Sequence, residues 1–107
     1  MLRTVLRMTV RTGCAEEFRA AWLDSARSTA ELPGSVAQTL LRDPRSPHDH
    51  VIMADWADHA SLEAFQNSPA RQRLSACLDR FRESAEKTVF DVVEHVPAHR
   101  PIERQQR

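Results

Sequence analysis

The apolar residues of this chain are spaced to give an α+β domain, and three observations predict it. Four segments alternate with period two and two repeat with helical period, in the order strand, helix, strand, strand, helix, strand. The length of 107 residues supplies one hydrophobic core and not two. Both glycines, Gly13 and Gly34, fall between periodic segments, where turns are needed.

The first strand is expected over Leu2 to Val10, with Leu2, Leu6, Met8 and Val10 on one side and Arg3, Val5, Arg7 and Thr9 on the other. Thr12 and Gly13 end it. From Cys14 the spacing of Phe18, Ala21, Trp22, Ala26 and Ala30 predicts a helix running to Glu31, with Glu16 and Glu17 in the first turn, where the helix dipole favours negative charge. Pro33-Gly34 then makes a turn, because proline presets its backbone angle and glycine tolerates positive φ. A second strand is expected over Ser35 to Arg42, with Val36 and Leu40 opposed to Ala37, Thr39 and Leu41. Residues Asp43 to Asp49 contain two prolines and read as a hairpin loop into a third strand, His50 to Trp56. Asp58 suits the cap of a short helix containing Leu62 and Phe65. Ser68 followed by Pro69 signals a second helix start, whose stripe is Ala70, Leu74, Cys77, Leu78, Phe81 and Ala85. Thr88 to Val96 reads as the fourth strand, apolar on both faces: Phe90, Val92 and Val96 on one, Val89 and Val93 on the other. This order is the split βαβ of a ferredoxin-like βαββαβ domain over residues 1–96, with both helices on one face of the sheet. Residues 97–107 read as a mobile or partner-contacting tail with little to bury beyond Ile102. The uncovered sheet face carries enough apolar residues to predict a homodimer.

Fifteen basic and fifteen acidic residues cancel, so nucleic acid is not an expected partner, and the strands lack the stacking aromatics of an RNA-binding sheet. No apolar run approaches membrane-spanning length, and charges interrupt the start of the chain where a signal peptide would be apolar; a cytoplasmic protein is expected. Cys14 and Cys77 do not make a disulfide framework or a metal motif. Lys87 is the single lysine, and tyrosine is absent, which removes one common acid, base and donor.

The strings Glu31-Leu-Pro-Gly-Ser-Val, Leu41-Arg-Asp-Pro and Met53-Ala-Asp-Trp-Ala-Asp-His-Ala-Ser-Leu-Glu-Ala-Phe-Gln-Asn-Ser-Pro69 resemble the antibiotic biosynthesis monooxygenase family. In that family a Pro-Gly turn precedes the second strand and a tryptophan closes the third. The resemblance implies a dimeric α+β barrel with a pocket between helices and sheet in each subunit. It further implies oxidation of phenolic aromatic polyketide intermediates, such as anthrones, to quinones by O2 with no flavin, haem or metal. No cofactor is therefore expected, and the chain has no glycine-rich dinucleotide loop. Quinone-forming members carry an asparagine before the tryptophan and a tyrosine after it. Here Ile52 occupies that strand region, and only Trp56 carries over residue by residue.

Such chemistry needs an apolar slot for flat rings, a proton acceptor and donors near a developing oxyanion. Trp56 offers a flat face and one N–H, while packing alone would also explain it. His50 and His95 are the candidate bases, because imidazole titrates near neutral pH. Arg7, from the first strand, and Arg73, from the long helix, are the arginines expected to reach substrate. Ile52, Phe65 and Trp22 are expected to line the slot, although Trp22, like Phe18 and Phe81, also stands at core spacing. His48, Asp49, His50, Asp55 and His59 form the densest group of metal-ligand types. Local structure accounts for each of them, so no metal site is expected. The rival to an enzyme is a non-catalytic dimeric accessory protein that binds such an intermediate.

Overall fold

In the computed structural model, which describes residues 1–98, the chain runs β1 (Leu2–Val10), α1 (Ala15–Thr29), β2 (Ser35–Asp43), β3 (Ser46–Trp56), α2 (His59–Gln66), α3 (Pro69–Asp79) and β4 (Arg82–Asp91). The strands form one antiparallel sheet in the order β2-β3-β1-β4, so each βαβ unit is split by a strand of the other. This is the ferredoxin-like α+β arrangement. Most of the tail, including Ile102, lies outside the described residues. None of the described helices is long and apolar enough to cross a membrane.

Pairing register decides which residues meet the helices. Leu6 stands opposite Ile52 and Lys87, Met8 opposite His50 and Ala85, and Thr4 opposite Ala54 and Val89. Directly opposed residues share a face. The helix-facing side therefore holds Leu2, Thr4, Leu6, Met8 and Val10 with Trp56, Ala54, Ile52 and His50. Two apolar clusters result. Met8, Val10, Phe18 and Leu78 form one; Leu2, Trp56 and Leu62 form the other, with Leu32 and Phe65 packed against it. The opposite face carries Val5, Val51, Met53, Leu41 and Phe90, the last two well exposed at 43% and 47%. On that face Arg3 donates two hydrogen bonds to the Asp55 carboxylate, at 2.7 and 3.0 Å.

The structure differs from the sequence expectation at several places. The fourth strand is Arg82–Asp91 rather than Thr88 to Val96. Its ladder ends where Leu2 meets Asp91, because β1 begins there and offers later residues nothing to pair with. Beyond it, the Val92 N–H still reaches the Met1 carbonyl at 2.9 Å, but Val93 and Val96 are almost fully exposed. The long helix stops at Asp79, not Ala85: Phe81 closes back on the Leu78 carbonyl, and its own carbonyl accepts from the Arg11 N–H. The proline loop is shorter than residues 43–49. β3 resumes at Ser46, and Pro47 falls in an irregular stretch where Arg42 pairs with His50 and Asp43 with Ser46. Finally, a register shift between Ser35 and Ala37 leaves Val36 out of the ladder and 54% exposed, while Gln38, opposite Ala54, and Leu40, opposite Ile52, face the helices.

Two close approaches fix α2 over the end of β3. Gly34, at φ +84°, lies so close to Ser61 in the first turn of α2 that a side chain there would overlap it. The Gly34 carbonyl also accepts from the Ala57 N–H at 2.8 Å.

Candidate functional site

A cavity of about 230 Å³ lies between the helices and the sheet. Its floor is Thr4, Leu6, Ile52, Ala54 and Trp56; α1 contributes Trp22 and Thr29, and the α2–α3 side contributes Leu62, Phe65, Leu74 and Leu78. Small side chains are what leave the space open. Ala54 sits between Thr4 and Gln38 in the middle of the sheet, where a larger residue would fill it.

Trp56 is 1% exposed and stacks on Phe65 with ring centroids 5.0 Å apart and planes at 27°. Leu2, Leu62, Leu32, Ala54 and Phe65 pack around it. The junction of α2 and α3 aims both helices at the cavity. The Ser68 hydroxyl donates to the Phe65 carbonyl at 2.6 Å and accepts from the Arg71 N–H at 3.2 Å, so one side chain ends α2 and caps α3. Asp58 caps α2 by accepting from the Ser61 N–H at 2.8 Å. That bond holds its carboxyl below the usual carboxylate range.

Of the residues singled out from sequence, Trp56, Ile52, Phe65 and Trp22 are brought together around this cavity. The other four are not. Arg7 belongs to the opposite face of the sheet, among Val5, Val51 and Met53. Arg73 is exposed on α3 and lies outside the lining. His50 faces the helices but is walled off near Met8; it is 5% exposed, edge-on to Phe18 at 5.5 Å, with Nδ1 3.3 Å from the His48 carbonyl. His95 lies past the end of β4 on an exposed segment. Among the described residues no group of three or more His, Cys, Asp or Glu side chains gathers as a metal site. Asp55, one of that sequence group, is bound to Arg3 on the other face.

The polar lining comes instead from residues that sequence reasoning passed over: Gln38, Gln66, Ser75, Arg71, Arg82 and Lys87. Gln38 donates to the Ala26 carbonyl at 3.0 Å, tying β2 to α1. Arg82 is buried, bonded to Asp79 at 2.8 Å, with a second nitrogen 3.9 Å from the Met8 sulfur. Lys87 has its amine pushed down, first by burial and then by the charge of Arg71. The signal for Lys87 was the alternation Ala85, Lys87, Val89, which becomes visible once β4 begins at Arg82. An aromatic-walled chamber with cationic and amide groups at its edges can hold a flat, electron-rich molecule and stabilise negative charge on it.

Comparison with known proteins agrees with this geometry. The crystal structure of SnoaB, a cofactor-independent oxygenase from Streptomyces nogalater, superposes with a TM-score of 0.80 at 27% identity, covering 90% of this chain and 96% of that one. An antibiotic biosynthesis monooxygenase structure matches at 0.75 and 18% identity over 88% of this chain and 100% of that one. A conserved protein from Methanosarcina mazei Go1 matches at 0.77 and 17% over 83% and 89%; at such identities these two likenesses speak to fold alone. Among curated proteins, sequence comparison finds no match. The family model for antibiotic biosynthesis monooxygenase matches residues 1–77, most of the chain, and the protein belongs to that family.

Proposed function

We propose that this monooxygenase-family protein oxidises a phenolic, anthrone-like aromatic polyketide intermediate to a quinone with O2 and without a bound redox cofactor. The observation that carries the reading is the apolar chamber under the helices, walled by the stacked Trp56 and Phe65. Its 27% identity to a cofactor-independent oxygenase supports the same reading.

An anthrone methylene is acidic because its anion is delocalised through fused rings. Loss of one proton to water at the open mouth of the cavity gives an electron-rich carbanion that transfers an electron to O2. Recombination forms a C–O bond, and the resulting peroxide anion takes a proton back from water and loses H2O to leave the carbonyl. The balance is one CH2 and one O2 to one C=O and one H2O, so the substrate supplies every electron. The protein's part is to keep water off the ring faces, hold the rings flat against Trp56 and Phe65, and set donors such as the Trp56 N–H and the Gln38 and Gln66 amides beside the developing oxyanion.

We read the active species as a homodimer, because Leu41 and Phe90 on the uncovered sheet face are well exposed in one chain and their burial by a second copy is favourable. The cytoplasmic location read from the sequence belongs to the same proposal. A non-catalytic dimeric accessory protein is the second reading, favoured by the lack of any imidazole or carboxylate among the described lining residues. Oxygen uptake by metal-free protein given an anthrone decides between them. Uptake that saturates with anthrone supports the enzyme; saturable binding without uptake supports the accessory role.

A further inference from the structure

We propose that Arg71 and Lys87 form a subsite at the cavity rim for a carboxylate carried by the flat aromatic ligand, so that the acid stays at the mouth while the rings enter. The inference rests on reading this cavity as the ligand site, and adds to it a chemical class of ligand.

The charge pattern around the cavity has one sign. Arg71 reaches it from the first turn of α3, and Arg82 and Lys87 from β4, while no described lining residue is acidic. Arg82 is already matched by Asp79. Arg71 and Lys87 enter no ion pair with a described residue, and the charge that bears on the Lys87 amine is that of Arg71. Two cations held together at a half-buried apolar edge repel one another and lose hydration. An anion placed between them removes both penalties and gains charge-assisted hydrogen bonds.

Position selects the kind of anion. Arg71 is half-buried and Lys87 is more exposed, yet packed enough to cost its amine hydration, so both lie at the opening, with Trp56 and Phe65 farther in. A permanently ionised group belongs at such a rim, where its remaining lone pairs stay in water. A phenol is neutral near pH 7 and needs only a donor of the kind Trp56 offers. The volume of about 230 Å³ is below the common range for ligand pockets, so the flat rings take up the chamber and an acid arm is left at the mouth.

The groups facing Lys87 define its pH behaviour. Across the ladder on β1 stand Thr4 and Leu6, from α3 come Arg71, Leu74 and Ser75, and on its own strand the charged neighbour on this face is Arg82. The preference for an acid therefore holds while the amine is protonated and falls as pH rises through its lowered pKa.

Both tryptophans of the chain line the cavity, so intrinsic fluorescence reports its occupancy. The probes are 2-naphthoate and 2-naphthamide, which share a shape and differ in charge. The expected result is that naphthoate binds about tenfold tighter than the amide. Lys87→Met brings the two to within about twofold of each other without weakening the amide, and Lys87→Arg keeps the preference. Circular dichroism and thermal melts establish that the variants are folded. Equal wild-type affinities, or a preference that survives removal of both Arg71 and Lys87, overturn the subsite. Oxygen uptake on a neutral anthrone is recorded in parallel. Uptake without a charge preference refutes this inference alone, whereas a charge preference without uptake supports it and refutes the oxygenase reading.

Discussion

Gly34→Ala tests how the Pro33-Gly34 turn builds the cavity. Gly34 adopts φ +84°, which costs an alanine roughly 1–2 kcal/mol on its own. The added methyl would also overlap the Ser61 side chain at both Oγ and Cβ, within van der Waals radii. Relief requires α2 to move, an overpacking cost of about 1–3 kcal/mol. The total, about 2–5 kcal/mol, is a large share of the roughly 5–15 kcal/mol that holds a domain of this size folded. Gly13 supplies the control, because it has nearly the same φ, +80°, and a methyl added there would meet nothing within 4 Å. Urea unfolding of both variants should place Gly13→Ala near the backbone cost alone and Gly34→Ala well below it. Adding Ser61→Gly to Gly34→Ala removes both overlapping atoms, and the double-mutant cycle isolates the steric part from the helix-propensity loss of up to about 1 kcal/mol. Equal destabilisation at the two glycines, or no coupling between positions 34 and 61, would refute the close approach as the cause.

Trp56→Phe should keep the fold, since an aromatic ring still stacks on Phe65, yet lose oxygen uptake more than it loses melting temperature. Uptake and stability falling together would make Trp56 a packing residue. Asp58→Asn should destabilise the protein near neutral pH and not in acid. The Asp58 carboxyl titrates lower folded than unfolded, so its contribution is complete above the ordinary carboxylate range and disappears as pH falls through the folded value. Melting temperatures of wild type and variant should therefore converge at acid pH; a gap independent of pH would contradict the capping bond to the Ser61 N–H as the cause.

The sequence was most legible where burial on one face imposes a clean period. β1 is read correctly because Leu2, Leu6, Met8 and Val10 all meet the helices, and α3 begins at Pro69 because Ser68 caps it. The fourth strand was not legible at its start. Residues 82–87 are polar except Ala85 because β4 is an edge strand only partly covered by helices, and their charges make them look like the continuation of α3. Phe81 and Ala85 extend the helical stripe by coincidence, while the β1 register, which decides the matter, is a long-range fact. The same error hid Lys87, since a residue placed on a helix flank has no reason to face Leu6. The lining of the candidate cavity was legible only in its apolar part. Trp56, Phe65, Ile52 and Trp22 lie on the cavity because large side chains mark the helix–sheet interface, whereas His50, His95, Arg7 and Arg73 were chosen by residue type: Arg7 falls on the other face of the sheet, Arg73 on the exposed side of α3, His95 past the end of β4, and His50, though it faces the helices, stands at the Met8 end of the sheet outside the lining.

Whether the space under the helices is a ligand chamber or a packing flaw has a direct physical answer in Ala54. This residue stands at the middle of the cavity floor, between Thr4 and Gln38, on the same strand face as Trp56 and Ile52. Ala54→Leu places a branched side chain into a cavity of about 230 Å³, which is ample to receive it without strain. Filling an idle void adds apolar contacts and raises stability by roughly 0.5–2 kcal/mol. Both hypotheses therefore predict a higher or unchanged melting temperature, and they separate on binding. A chamber evolved for flat rings loses affinity for naphthoate and turnover of an anthrone once the new isobutyl group occupies the ring position, while its fold is intact. An idle void loses neither. Stabilisation with unaltered binding would place the ligand elsewhere on the molecule and remove the cavity from the mechanism.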